Sequence, residues 1–93
     1  MMKLQNPETR SNLTKRLRRI EGQVRGVQKM IDDDRHCDEI VQQLASVRSA
    51  VHGAMIHFLQ EQARDCLYIP PGEDPRTQEQ SMTELITLLG KIT

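Results

Sequence analysis

The sequence predicts an all-α protein of three helices, and three observations predict it. Apolar residues recur in steps of three and four along most of the chain. No stretch alternates apolar and polar residues as a half-buried strand would. The helical pattern is interrupted at two places, the acidic run Asp32-Asp33-Asp34 and the segment Ile69-Pro70-Pro71-Gly72. The 93 residues make one small domain spanning 1–93, with helices over about 7–32, 35–67 and 75–92.

Residues 1–5 carry no pattern. Asn6-Pro7-Glu8 then reads as a helix start, with Asn as N-cap and Pro at the first helical position; Ser11 or Asn12 is a later alternative. Leu13, Leu17, Ile20, Val24, Val27 and Ile31 follow as a heptad stripe. Gly22 and Gly26 weaken this helix by about 1 kcal/mol each relative to Ala, and read as sites of close helix approach. The acidic triplet is a poor helix end but a good helix start, because carboxylates favour the positive end of the helix dipole. Asp33 or Asp34 is therefore the expected cap of the second helix.

That helix has no proline and one glycine, Gly53. Val41, Leu44, Val51, Met55 and Phe58 form its apolar stripe, with Ile40, Val47, Ala54 and Leu59 beside them. The stripe extends to Cys37 at one end and to Gln62 and Cys66 at the other. After the proline-glycine break, Asp74-Pro75 starts a third helix, which carries Met82, Leu85, Ile86, Leu89 and Ile92 on one face.

The two cysteines are 29 positions apart. On one straight helix that is about 43 Å, far too distant for a disulfide or a shared metal ion. If they act together, a second copy must bring its Cys66 to this Cys37, and an antiparallel pairing does so twice. The alternative is two unrelated thiols packed as small hydrophobes. One Phe, one Tyr and no Trp leave little volume for a core, which also favours oligomerisation. No signal-peptide pattern and no apolar run of about 20 residues is present, so the expectation is a cytoplasmic protein without membrane association. Thiols stay reduced there, and two of them suggest chemistry or metal binding before a structural staple.

The zero net charge hides an asymmetry. Arg10 to Lys29 holds seven basic residues and one acid, Glu21, a net of +6 that the rest of the chain balances. Charged faces normally mix signs, so this segment points to a local anionic partner such as DNA phosphate. Cys37, in the first turn of its helix, has Arg35 and His36 beside it, and Arg64 precedes Cys66. A positive setting activates a thiol, while Asp34, Asp38 and Asp65 oppose it. His52 and His57 are five apart and read as surface or core-edge residues.

Arg16-Leu17-Arg18-Arg19-Ile20-Glu21-Gly22-Gln23, then Cys37, then Gln43-Leu44-Ala45-Ser46-Val47-Arg48-Ser49-Ala50, then Cys66 resemble the small all-helical bacterial repressors of the CsoR/RcnR/FrmR/CstR family. The resemblance covers about Leu13 to Ile92. It implies an antiparallel dimer of three-helix protomers, assembled further as a dimer-of-dimers tetramer, and an effector site joining Cys37 to Cys66 of the partner protomer. It also implies double-stranded operator DNA as partner, with Arg16, Arg18, Arg19 and Arg48 as the leading contacts and Lys15 and Gln23 behind them. No helix-turn-helix or zinc finger is visible.

The effector follows from departures within that family. Copper members carry a histidine four residues before the second cysteine, and here that position is Gln62. His36 replaces a tyrosine common before the first cysteine, and Glu84 matches a glutamate of the third helix near the site. The nickel type needs several imidazoles. The formaldehyde type uses an N-terminal proline and lacks the second cysteine, whereas this chain begins Met1-Met2 and has Cys66. A cysteine pair without the histidine is the pattern of the persulfide type. The resemblance thus implies release from DNA by a persulfide or polysulfide, with no cofactor required. Cu(I) or another soft metal ion held by Cys37 and Cys66 is the alternative. A thiol-dependent enzyme is disfavoured, since there is no C-x-x-C, no α/β pattern and no base paired with Cys37. A purely structural helical module would not bind DNA.

Overall fold

A computed structural model of the chain describes residues 3–67 and 74–91, except for the side chains of Cys66, Leu67, Pro75 and Thr77. Three helices follow in order: α1 (Pro7–Asp32), α2 (Cys37–Leu67) and α3 (Pro75–Leu89). The Ile69-Pro70-Pro71-Gly72 break and Ile92 lie outside the described residues.

Local chemistry sets the ends. Asn6 caps α1 by accepting from the backbone N–H of Glu8 at 2.9 Å and of Thr9 at 3.5 Å, and Pro7 occupies the first turn, where its missing N–H costs nothing. Asp74 and Pro75 repeat the arrangement for α3, with Asp74 accepting from the N–H of Arg76 at 3.0 Å. This backbone bond and the Arg76 side chain hold the Asp74 carboxyl below the ordinary value of 3.8.

The acidic triplet closes α1 and does not open α2. Asp33 is the C-cap, Asp34 takes a left-handed conformation with φ of 55°, and the N–H groups of Asp34 and Arg35 donate to the carbonyls of Ile31 and Met30 at 3.2 and 3.0 Å. This is a Schellman closure, which satisfies carbonyls the helix leaves open. With Asp33 and Asp34 consumed in that turn, α2 starts two residues beyond the expected position. The carbonyl of His36 takes its first helical bond, from Ile40 at 3.2 Å.

Both α1 and α3 pack on α2, and among the described residues they do not pack on each other. The heptad stripe of α1 divides into two rows. Ile20 and Val27 are buried, with Leu13 half-buried, whereas Leu17, Val24 and Ile31 are exposed. On α3, Leu85 is buried against Leu59 of α2, with Met55, Ala63, Met82 and Leu88 around them. Gly22 and Gly26 are not sites of close approach: a Cβ at Gly26 would meet nothing within 4 Å, and at Gly22 only the Arg25 side chain at 3.9 Å.

The molecule measures 60 × 26 × 16 Å, with a radius of gyration of 17.8 Å. A compact chain of this length has about 12 Å. Its accessible surface is 7289 Å², about 1,800 Å² more than the roughly 5,500 Å² of a compact monomer of the same mass. Five apolar residues form the buried set among the described residues, and none is completely enclosed.

Candidate functional site

Cys37 is the first residue of α2 and is exposed. His36 beside it is exposed too. Arg35 is engaged elsewhere: its guanidinium holds the Glu39 carboxylate one turn ahead, with Nε and the terminal nitrogen both 2.6 Å from Oε2. Of the basic neighbours that were to activate the thiol, Arg35 therefore faces a carboxylate of its own.

Cys66 lies in the last turn of the same unbroken helix. Its side chain is outside the described residues. With α2 continuous from Cys37 to Leu67, the two cysteine backbones stand about 43 Å apart, and one protomer cannot bring them together. Gln62 is buried on α2, and Glu84 is half-buried on α3, which packs against the same end of α2. Cys37 and His36 thus mark one end of the long helix, and Gln62, Cys66 and Glu84 the other. Among the described residues no three histidine, cysteine, aspartate or glutamate side chains cluster as metal ligands would.

The basic residues sit mainly on α1. Lys15, Arg18, Arg19 and Gln23 are exposed, Arg16 is half-buried, and Arg48 is exposed on α2. Among the described residues none of these five cations has a carboxylate partner. A face neutralised from within would show such pairs, so the positive charge remains available to an outside anion. Lys15, Arg16 and Arg19 share one groove of about 210 Å³ with Asn12 and His57.

Sequence reasoning missed the polar cluster beside that groove. Glu61 is buried, with 7% of its surface exposed. His57 Nε2 lies 2.9 Å from its Oε1, and the Asn12 amide donates to its oxygens at 3.4 and 3.5 Å. Further along, the Asn6 amide donates to Asp65 at 3.2 Å, tying the start of α1 to the end of α2. These groups line a second cavity of about 230 Å³. The available signal was the i, i+4 spacing of His57 and Glu61, one turn apart on one helix face.

Comparison with known proteins places this geometry. A chain of 37% identity over 86 residues, covering 90% of this chain and 81% of its own length, is the copper-sensing transcriptional repressor CsoR of Bacillus subtilis. The copper-sensing repressor CsoR with Cu(I) from Geobacillus thermodenitrificans superposes with a TM-score of 0.74 at 36% identity, covering 97% of this chain and 92% of that one. A glutamate-to-histidine variant of the formaldehyde-responsive regulator FrmR from Salmonella enterica serovar Typhimurium superposes with a TM-score of 0.78 at 29% identity, covering 97% and 100%. The family described as metal-sensitive transcriptional repressor matches residues 9–91. With its three helices, its basic first helix and a cysteine at each end of its second, the chain belongs to this CsoR/RcnR/FrmR family of small helical transcriptional repressors, not to an enzyme family.

Proposed function

We propose that this protein is an operator-binding repressor that acts as an antiparallel dimer, paired again into a tetramer. An effector joining Cys37 of one protomer to the partner's Cys66 releases it from DNA. The observation that carries the reading is the placement of the two cysteines at opposite ends of an unbroken α2, in a protomer with about 1,800 Å² of surplus surface. A second copy laid antiparallel along α2 supplies the missing cover and the missing thiol together. The surplus exceeds the roughly 800 Å² per partner of a standard interface and suits an obligate one.

Cu(I) is the effector we favour, because relatives at 36 and 37% identity are copper sensors. The donor chemistry fits: two thiolates are soft ligands and hold Cu(I) well. Cys37 and the partner's Cys66 would hold the ion, with His36 the nearest further donor in sequence. Gln62 is an amide and adds no soft donor. Gln62 is buried on α2 and Glu84 half-buried on α3, and we read both as supporting the Cys66 end of the helix.

Gln62 also supports a second reading, a reactive sulfur species as effector. The Cys37 thiolate attacks the outer sulfur of a persulfide and displaces a thiolate. The partner's Cys66 then attacks the new Cys37 persulfide at its inner sulfur and expels hydrosulfide, leaving an interprotomer disulfide.

DNA phosphates are the ligand of the unpaired cations, with Arg16, Arg18, Arg19 and Arg48 leading and Lys15 and Gln23 adding contacts. Most of the affinity is then electrostatic and falls steeply with salt. The deciding experiment is operator binding by anaerobic, reduced protein, followed by fluorescence anisotropy, with Cu(I) and a polysulfide donor added separately. Release by about one Cu(I) per protomer, reversed by a chelator, is the expected result. Release by polysulfide alone, with a cross-linked dimer on a non-reducing gel, replaces copper by sulfur. Release by neither removes the paired cysteines from the mechanism.

A further inference from the structure

We propose that the groove between α1 and α2 lined by Lys15, Arg16, Arg19, Asn12 and His57 seats one backbone phosphate of duplex DNA, and that His57 takes up a proton when the phosphate is seated. This rests on the DNA-binding reading above. It adds to that reading a residue, a proton and a direction of pH dependence.

The groove holds about 210 Å³, enough for a phosphodiester group and some of its water. Three of its five lining residues are cations with no carboxylate partner among the described residues. Asn12 is oriented by the buried Glu61, to which its amide nitrogen donates. The groove is therefore positive and partly walled, and Glu61 of α2 holds both Asn12 on its α1 side and His57 on its α2 side.

His57 gives the groove its proton dependence. Its Nε2 faces the Glu61 carboxylate at 2.9 Å, and a carboxylate only accepts, so this nitrogen keeps its hydrogen whether the ring is neutral or charged. Glu61 thereby fixes the tautomer. The other ring nitrogen, Nδ1, has no partner among the described residues. In the neutral ring it offers a lone pair, which an anion repels. In the charged ring it offers an N–H, which a phosphate oxygen accepts. Histidine is the side chain suited to such a change near neutral pH.

The surrounding charges favour coupling. From α1, Lys15, Arg16 and Arg19 line the groove, and a seated phosphate brings the negative charge that faces a protonated His57 there. On the other side of His57, the neighbouring cavity presents Glu8 from α1 and Glu61, Arg64 and Asp65 from α2. Among these Glu61 is the group bonded to the ring, and it is the buried partner of the pair, while the His57 side chain is 39% exposed. Proton and phosphate therefore stabilise each other's binding, and linkage makes the effect reciprocal.

The test uses the full chain, reduced and without effector, and a fluorescein-labelled duplex of mixed sequence at low salt. Phosphate contacts do not depend on sequence, so no operator is needed. Affinity should rise as the pH falls from about 8 to 6, by up to tenfold per pH unit for each seat. His57→Gln keeps a donor for Glu61 but gains no proton, and should lose that rise. His52→Gln, on an exposed position of the same helix, should keep it. Calorimetry of the unaltered protein in two buffers of different ionisation enthalpy should report about one proton taken up per seat, a readout that needs no variant. Salt-dependent binding with an unchanged pH slope in His57→Gln, or with no proton uptake, overturns the seat and leaves the DNA reading standing. Absence of salt-dependent binding by the unaltered protein overturns both.

Discussion

Between Ala54 and Gln62, α2 is covered: Ala54, Leu59, Glu61 and Gln62 are buried, beneath α3 on one side and α1 on another. Between Cys37 and Gly53 the same helix has no buried residue, and Val41, Leu44 and Val51 are 62%, 52% and 45% exposed. The apolar pattern is equally strong in both halves, so the difference lies in what reaches them. The third helix is short and docks through Leu85 on the C-terminal half, leaving the N-terminal half with α1 alone. The half that carries Cys37 is thus bare for the same reason that Cys37 lacks a partner within the protomer. One antiparallel copy would correct both.

Leu44→Glu tests the bare half and has the largest expected effect. A carboxylate placed in an apolar interface costs several kcal/mol when unpaired. Sedimentation velocity should show an oligomer for the unaltered protein and a monomer for this variant. A variant that assembles normally would mean that the second copy does not cover this row. Leu59→Ala tests the covered half. It removes a buried side chain that Leu85 packs against and should lower stability by about 2–4 kcal/mol. The two variants separate by their dependence on protein concentration. The melting temperature of an oligomer rises with concentration. Leu44→Glu should abolish that rise, and Leu59→Ala should keep it while shifting the whole series downward.

Sequence pattern carried the three helices and the caps of α1 and α3, because Asn6-Pro7 and Asp74-Pro75 act locally. It did not carry which row of α1 is covered. Leu13, Ile20 and Val27 read like Leu17, Val24 and Ile31, since both rows repeat every seven residues and only tertiary packing distinguishes them. The acidic triplet misled for a similar reason. Charge favours it at a helix start, yet Asp33 and Asp34 were taken first by the backbone closure of α1. At the site, the cysteine spacing spoke directly because distance along a helix is arithmetic. The Asn12–Glu61 contact was silent, because it joins residues 49 positions apart and requires the register of α1 on α2.

Arg16→Ala and Arg19→Ala sharpen the comparison from the DNA side, since their groove lies against the covered half of α2 through His57. Each should weaken duplex binding about tenfold, about 1.4 kcal/mol. Each should also reduce the slope of log affinity against log salt by about one. The oligomeric state should not change, because neither side chain belongs to the bare apolar rows. Unchanged affinity in the double variant would remove these residues from the DNA contact.

The smallest expected effect lies at the turn that leads into the bare half. Asp34 holds φ at 55°, where a Cβ costs about 1 kcal/mol and glycine has none to lose. Its carboxylate also stands at the negative end of α1, which the helix dipole disfavours by a few tenths of a kcal/mol. Asp34→Gly removes both penalties and returns part of the gain through the freer unfolded chain. A net stabilisation of about 0.5 kcal/mol should follow, read as a higher denaturation midpoint at unchanged slope. Asp34→Ala keeps the Cβ and should gain only the dipole contribution. If glycine were no better than alanine, the left-handed conformation of Asp34 would not be the strained element of the turn. The start of α2, and with it the position of Cys37, would then be set by the Arg35–Glu39 pair rather than by the closure of α1.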